Sequence, residues 1–200
     1  VKTAIRISRI LTTLGYYKES SDIIDSINRK SIPRSLLFEY FEAKEFLCYE
    51  LFHVDGSRLE FQDMYEKKYR SYMDSVILYA PENSEYGLRS REKKALILND
   101  YDYAMQCNRK RMELAPKGAI AESFVFYERN LIYEKMGGND EERLYCLLRA
   151  AIIDLENSNQ DVAAFTQISY MLRNSVDAGI LDKFSEYSYS SMLKFRSRTR

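Results

Sequence analysis

The sequence predicts an all-α chain of about five antiparallel helix pairs, and three observations support this prediction. Apolar residues recur at intervals of three and four positions, which is the spacing of one face of an α-helix. Turn-forming residues interrupt these stretches at fairly regular distances, so that helices follow one another along the chain. Only seven glycines and three prolines occur in 200 residues. That number is too small for the many tight turns of a β-sandwich or barrel.

The elements can be placed in order from the residues that interrupt the helical pattern. These residues are Gly15, Pro33, Asp55-Gly56, Pro81, Asn99-Asp100, Pro116, Gly137-Gly138, Asn157 to Asn159 and Ala178-Gly179. They divide the chain into ten helical stretches. Consecutive stretches form pairs at approximately 1–32, 34–80, 84–115, 118–157 and 160–196. We expect these pairs to make up a single domain over residues 1–200.

Two stretches show the helical spacing especially clearly. The stretch after Pro33 carries an apolar stripe of Leu36, Leu37, Tyr40, Phe41, Leu47, Cys48 and Leu51. The stretch after Gly138 carries a second stripe of Leu144, Leu147, Leu148, Ala151 and Leu155. Charged residues occupy much of the opposite face of this second stretch, as expected for a helix that is buried on one side.

Composition and charge exclude several classes of function. Basic and acidic residues number 30 each, so bulk charge does not favour nucleic acid as a partner. A single histidine, His53, and three widely spaced cysteines provide neither a catalytic triad nor a zinc-binding pattern. We therefore expect no enzymatic activity, no metal and no cofactor. The cysteines, Cys48, Cys107 and Cys146, are expected to be buried free thiols.

One segment resembles the tetratricopeptide repeat. Residues Asn99 to Ala104, followed by Leu114-Ala115-Pro116, place a small residue after an aromatic turn and a proline after the second helix. The resemblance implies that Ala104 lets two helices pack closely and that Pro116 ends the second helix. Ser20 stands at the same small position in the first pair. Pro81 and Pro116 are 35 residues apart, close to the repeat unit of about 34 residues.

The resemblance is uneven along the chain but covers most of it. The pair at 34–80 departs most, because its helices are longer and its turn is Val54-Asp55-Gly56. The last pair fits weakly, since Phe184 stands where a small residue is expected. The resemblance implies a right-handed α-solenoid whose stacked pairs leave a concave surface lined by the first helix of each pair.

A narrower resemblance covers the second half of the chain. The segments Tyr127-Glu128 to Tyr133-Glu134-Lys135, Glu142 to Tyr145, Ala150 to Glu156 and Phe195 to Arg198 are similar to the extracytoplasmic repeat region of membrane-anchored regulators from Bacteroidetes. In that family a signal peptide precedes the repeats, and a transmembrane helix and usually a DNA-binding module follow them. The resemblance implies a periplasmic sensor that reaches the membrane only through segments outside these 200 residues.

The resemblance also implies a set of ligand-binding residues. In the repeat family, peptide-binding residues occur at fixed positions of the first helix of each pair. Carried over onto this sequence, those positions include Lys2, Arg6 and Arg9 in the first pair. In the later pairs the candidate groove consists of Arg89, Lys93, Tyr127, Asn130, Tyr170 and Arg173. We predict that it holds an extended peptide or a similar ligand. The alternative is a solvated face of basic residues with tyrosines in the core.

Other functions stay open at this point. A cytosolic scaffold that holds a partner protein would use the same architecture without sensing anything. Exposed aromatic ridges would also suit a homodimer interface. An enzyme built on a helical toroid is the third alternative, and no motif in the sequence supports it. Flanking segments distinguish the first two alternatives, because a sensor requires a signal peptide and a transmembrane helix.

Overall fold

The computed structural model describes residues 1–54, 59–137 and 140–157 of the chain. All regular elements in these ranges are helices, which confirms the all-α prediction. Short 3-10 turns at Arg29–Ser31 and Arg34–Leu36 connect the second helix to the third. The α-helices are α1 (Lys2–Thr13), α2 (Tyr17–Ser26), α3 (Leu37–Val54), α4 (Leu59–Tyr79), α5 (Glu85–Ile97), α6 (Tyr101–Leu114), α7 (Ile120–Met136) and α8 (Asp140–Glu156). The predicted fifth pair, 160–196, lies outside the described residues.

The helices belong to two compact units, one of residues Val1–Lys94 and one that begins at Ala95. The organisation of residues 1–200 as a single domain stays a prediction. In the first unit, α1 packs on α2 and α3, and α3 packs on α4. Its core consists mainly of Ile5, Ile24, Tyr40, Phe41, Leu47 and Val76.

The seam between α1 and α2 is lined by hydroxyl groups. Ser20 is completely buried there, and its Oγ lies 2.9 Å from Ser8 Oγ and 2.7 Å from Thr12 Oγ1. The short side chains let the two helices approach closely, as predicted for the small position at Ser20. Gly15 forms the turn between the helices with a φ of 81°, a backbone conformation that residues with a Cβ rarely adopt.

In the second unit, α6 packs on α7, and α7 packs on α8. Ala104 is completely buried beside Ala95, Met105 and Ile132, in agreement with its predicted small position. Helix α6 ends at Leu114, shortly before Pro116, because a proline inside the helix would remove a hydrogen bond and clash with the preceding turn. The α7–α8 core contains Phe126, Leu144, Leu147, Ala150, Ala151 and Ile153.

Cys48, Cys107 and Cys146 are buried and free, as predicted. Burial raises the pKa of the Cys48 thiol to about 11 and that of the Cys146 thiol to about 12, because the thiolate is poorly solvated inside the fold. Both thiols are therefore almost fully protonated at neutral pH.

Candidate ligand-binding site

Five charged side chains of the first unit form a cluster on α1, α3 and α5. We define the charged cluster as Arg9, Glu42, Glu45, Arg89 and Lys93. Arg9 Nε lies 3.0 Å from Glu42 Oε2. Lys93 Nζ donates a hydrogen bond of 3.0 Å to Glu45 Oε1. The charge of Arg89 also acts on Glu42. The cluster has one positive charge in excess when both glutamates are ionised.

Helical spacing places these residues together. Glu42 and Glu45 are three positions apart on α3, and Arg89 and Lys93 are four positions apart on α5. Each pair therefore shares one face of its helix. The α3 face meets Arg9 of α1 and Lys93 of α5.

The carboxylates lie inside and the cations lie at the rim. The Glu45 side chain is 4% exposed, whereas the Arg9 side chain is 39% exposed. The Glu42 side chain is largely buried and Lys93 is partly exposed. Ser90 Oγ adds a contact of 3.4 Å to Glu45 Oε2. A molecule that approaches this face therefore meets guanidinium and ammonium groups before it meets the glutamates.

Aromatic rings lie beside two of the cations. The Lys93 ammonium lies 5.5 Å from the centre of the Tyr49 ring and 5.7 Å from that of Tyr69. The Arg9 guanidinium lies 5.9 Å from the centre of the Tyr86 ring. Ring faces attract cations at such distances, so the tyrosines help to hold the basic groups in place.

The charge of Glu42 is unfavourable in its largely buried position. Burial raises the pKa of its carboxyl above the ordinary value, and the nearby Glu45 raises it further, while Arg9, Arg89 and Lys93 act in the opposite direction. Within the described part of the chain, Glu42 Oε2 receives no hydrogen bond, so its contact with Arg9 is an ion pair only. Burial takes water away from such a carboxylate, and the surrounding protein groups replace only part of the solvation that is lost.

The stability of the domain should therefore depend on pH through Glu42. A raised pKa means that the folded domain binds this proton more tightly than the unfolded chain does. Stability consequently falls as the pH rises from the unfolded value of 4.5 through the raised folded value. We expect Glu42→Gln to flatten this dependence and to raise the free energy of unfolding at neutral pH, because glutamine carries no charge to desolvate.

Urea unfolding of both proteins at several pH values, from about pH 4 to about pH 8, measures this effect. Glu19→Gln is a matched control, because Glu19 is an exposed carboxylate on α2 of the same unit. An unchanged pH dependence in Glu42→Gln would show that other groups determine it.

The predicted site residues that the structure describes differ in their burial and in their contacts. Arg89 and Lys93 share the charged cluster. Tyr127 lies in the second unit, half-buried against the α7–α8 core. Asn130 is completely buried, and its Oδ1 accepts a hydrogen bond of 3.3 Å from Arg143 Nε of α8. Tyr170 and Arg173 lie outside the described residues.

The geometry at Asn130 indicates a structural contact. Arg143, which donates to its amide oxygen, also donates to Glu134 Oε1 at 2.8 Å and to Asp140 Oδ1 at 3.4 Å. Asn130 thus lies at the inner end of a network that ties α7 to α8. Its role in ligand binding stays a prediction, and the buried position shows that a ligand would first have to displace this network.

The second unit also contains a buried ion pair between α6 and α7. Arg111 Nη2 lies 2.6 Å from Glu128 Oε2, and the Arg111 side chain is 1% exposed. On the same two helices, Asn108 Nδ2 donates to the Val125 carbonyl at 3.1 Å, and Arg129 Nε donates to Asn108 Oδ1 at 2.7 Å. Polar side chains therefore carry much of the contact between these helices.

Glu42 and Glu45 were missed by the sequence-based prediction of the site. The pair at 34–80 departs from the repeat pattern, so the pattern supplied no groove positions there. The available signal was the series Glu39, Glu42 and Glu45, three carboxylates at intervals of three within a largely apolar helix. Such residues are costly to bury and are paired when they are buried.

Two kinds of feature, a metal-binding cluster and a membrane-spanning helix, are missing from the described ranges. No group of three or more histidine, cysteine, aspartate or glutamate side chains in them is arranged to hold a metal ion. None of their helices combines the length and the apolar character needed to cross a bilayer.

Comparison with known proteins gives one match. A family model described as the SusR N-terminal TPR domain matches residues 1–200, the whole chain. Comparisons with curated proteins and with solved structures gave no match. The all-helical structure, with its adjacent helices packed in pairs, agrees with a solenoid of the tetratricopeptide type. The chain belongs to the family of SusR N-terminal TPR domains.

Proposed function

We propose that this domain is the non-catalytic ligand-recognition part of a membrane-anchored regulator, located on the periplasmic side of the membrane. Membership of the SusR N-terminal TPR family supports a helical repeat that binds a protein or another ligand. The observation that carries the proposal is the charged cluster, in which α1 and α5 contribute three cations beside two largely buried glutamates of α3.

The cluster suits the recognition of an anionic group, such as a peptide carboxylate. Its cations outnumber its carboxylates, and the carboxylates are the more deeply buried partners. Arg9 is 39% exposed and Arg89 is partly exposed, and arginine presents a planar set of donors that matches a carboxylate. Lys93 is held by Glu45 and by two tyrosines, so we assign it mainly to positioning the face.

Binding of a fluorescein-labelled acidic hexapeptide, followed by fluorescence anisotropy, tests this proposal. Arg89→Ala should weaken the binding about tenfold or more, because a hydrogen bond to a charged group contributes roughly 1.5–3 kcal/mol. Lys94→Ala is the matched control and should bind like the unchanged protein. Lys94 is on the same helix but pairs with the exposed Asp74 at 2.7 Å. Equal effects of the two substitutions, or no binding at all, would contradict the proposed site.

We propose that the domain is exported and that a homodimer transmits ligand occupancy to the rest of the regulator. Alkaline phosphatase inserted after Arg200 in the full-length gene should be active, because this reporter folds only outside the cytoplasm. An inactive fusion would favour the cytosolic scaffold.

Sedimentation velocity with and without the acidic peptide tests the dimer.

A further inference from the structure

Helix α1 buries polar side chains and exposes large apolar ones, which is the reverse of the usual arrangement. The face that packs into the unit carries Ser8 and Thr12 beside Ile5, and all three are buried. The opposite face carries Ile7 and Ile10, and Leu14, which directly follows the helix, continues this face; all three are exposed to solvent. Ile10 is 59% exposed and Leu14 is 63% exposed. Large apolar side chains that line up on an exposed helix face indicate a contact surface.

Hydrogen bonds fix this orientation of the helix. Ser8 and Thr12 meet the buried Ser20 hydroxyl at 2.9 and 2.7 Å, and Ser20 Oγ also donates to the Ser8 carbonyl at 2.9 Å. Turning the apolar stripe inward would break these bonds and bury large side chains in a seam built for small ones. The stripe is therefore a stable feature of the folded surface.

The shape of the stripe indicates a helical partner. Ile7, Ile10 and Leu14 follow one another at steps of three and four, which gives a narrow line of apolar side chains. A narrow line of this kind is the seam by which one helix packs on another. A helix that lies on a membrane has a broader apolar face, usually with aromatic residues.

The charge of α1 indicates the character of that partner. The helix contains Lys2, Arg6 and Arg9 and no acidic residue. Lys2 and Arg6 are exposed, and within the described ranges Arg6 forms no ion pair, whereas Arg9 is paired with Glu42. A second copy of this chain would bring the same cations to the contact. A helix with acidic residues beside its apolar line would neutralise them.

We infer that the outer face of α1 binds an amphipathic helix that has an apolar line flanked by acidic residues. Ile7, Ile10 and Leu14 would pack against the apolar line, and Lys2 and Arg6 would pair with the acidic flank. This surface is separate from the charged cluster, of which α1 contributes only Arg9. The inference is independent of the ligand assigned to that cluster.

A pair of synthetic helical peptides tests the inference. Both have leucines at the spacing of the α1 stripe, and they differ only in having glutamate or lysine flanks. Anisotropy titrations with the 200-residue chain should show binding of the glutamate peptide. Ile10→Asp should weaken it about tenfold or more, since it puts a charge into the apolar contact. Arg6→Glu should weaken the glutamate peptide and strengthen the lysine peptide.

Leu78→Asp provides the matched control. Leu78 is another exposed apolar residue of the same unit, on α4, and its substitution should leave peptide binding unchanged. Thermal unfolding followed by circular dichroism should show that all variants are folded, because the substituted side chains are exposed. Equal binding of the two peptides, or no binding, would overturn the inference. It would also be overturned if Ile10→Asp abolished a dimer of the chain or binding to phosphatidylglycerol vesicles while peptide binding was absent.

Discussion

Replacement of Arg111 by methionine is expected to lower the free energy of unfolding by about 3–5 kcal/mol. Arg111 is 1% exposed, and its Nη2 lies 2.6 Å from Glu128 Oε2. Methionine fills part of the same volume but leaves the largely buried Glu128 carboxylate without this cation. Chemical denaturation with urea, monitored by circular dichroism, measures the loss.

Two further variants separate the charge effect from simple loss of packing. Arg109→Met, at an exposed position of the same helix, should change stability by no more than about 0.5 kcal/mol. The double variant Arg111→Met, Glu128→Leu removes both charges and should recover much of the loss, because a buried pair costs most when only one partner is removed. A double variant no more stable than Arg111→Met would show that packing of the arginine stem dominates.

Replacement of Lys93 by methionine should lower the free energy of unfolding by about 2–3 kcal/mol. The Lys93 ammonium donates to Glu45 Oε1 at 3.0 Å, and the Glu45 side chain is 4% exposed. The loss is smaller than for Arg111 because Lys93 itself is partly exposed, so water enters more readily. The same urea denaturation measures it.

Lys94→Met is the neighbouring control for this prediction. Lys94 and Asp74 form an ion pair of the same kind, but both partners are exposed. Exposed pairs contribute roughly 0–1 kcal/mol, so Lys94→Met should change little. Glu45→Gln in the Lys93→Met background should restore stability, because it neutralises the buried carboxylate. Similar losses at Lys93 and Lys94 would contradict a role for burial.

Local sequence signals were sufficient for the fold class and for the close helix contacts. Helical spacing predicts helices from the chain itself, without knowledge of neighbours, and the ranges that the structure describes contain the first eight of the ten predicted helices. The small positions Ser20 and Ala104 follow from the repeat pattern, and both residues are completely buried. The helices follow from residues that are near one another in sequence. The small positions follow from the lack of space wherever two helices pack closely.

The candidate site was harder to predict, because the burial and pairing of its residues depend on partners that are far away in sequence. The repeat pattern selects a helix face but does not show what fills it. Asn130 stands at a predicted groove position, yet it is buried and bonded to Arg143. Lys93 is paired with Glu45, which belongs to the pair that departs most from the repeat pattern. Only the three-dimensional packing of α3 beside α5 brings these groups together.

The protected cysteines make the domain suitable for following local opening by chemical labelling. Cys48 belongs to the first unit and Cys146 to the second, and burial holds their thiols in the protonated form. With a pKa of about 11, roughly one Cys48 thiol in ten thousand is ionised at pH 7, so alkylating reagents react very slowly with the closed state. Modification of each thiol by iodoacetamide would therefore report how often its own unit opens. Mass spectrometry of the two peptides would give a separate opening rate for each unit in a single sample.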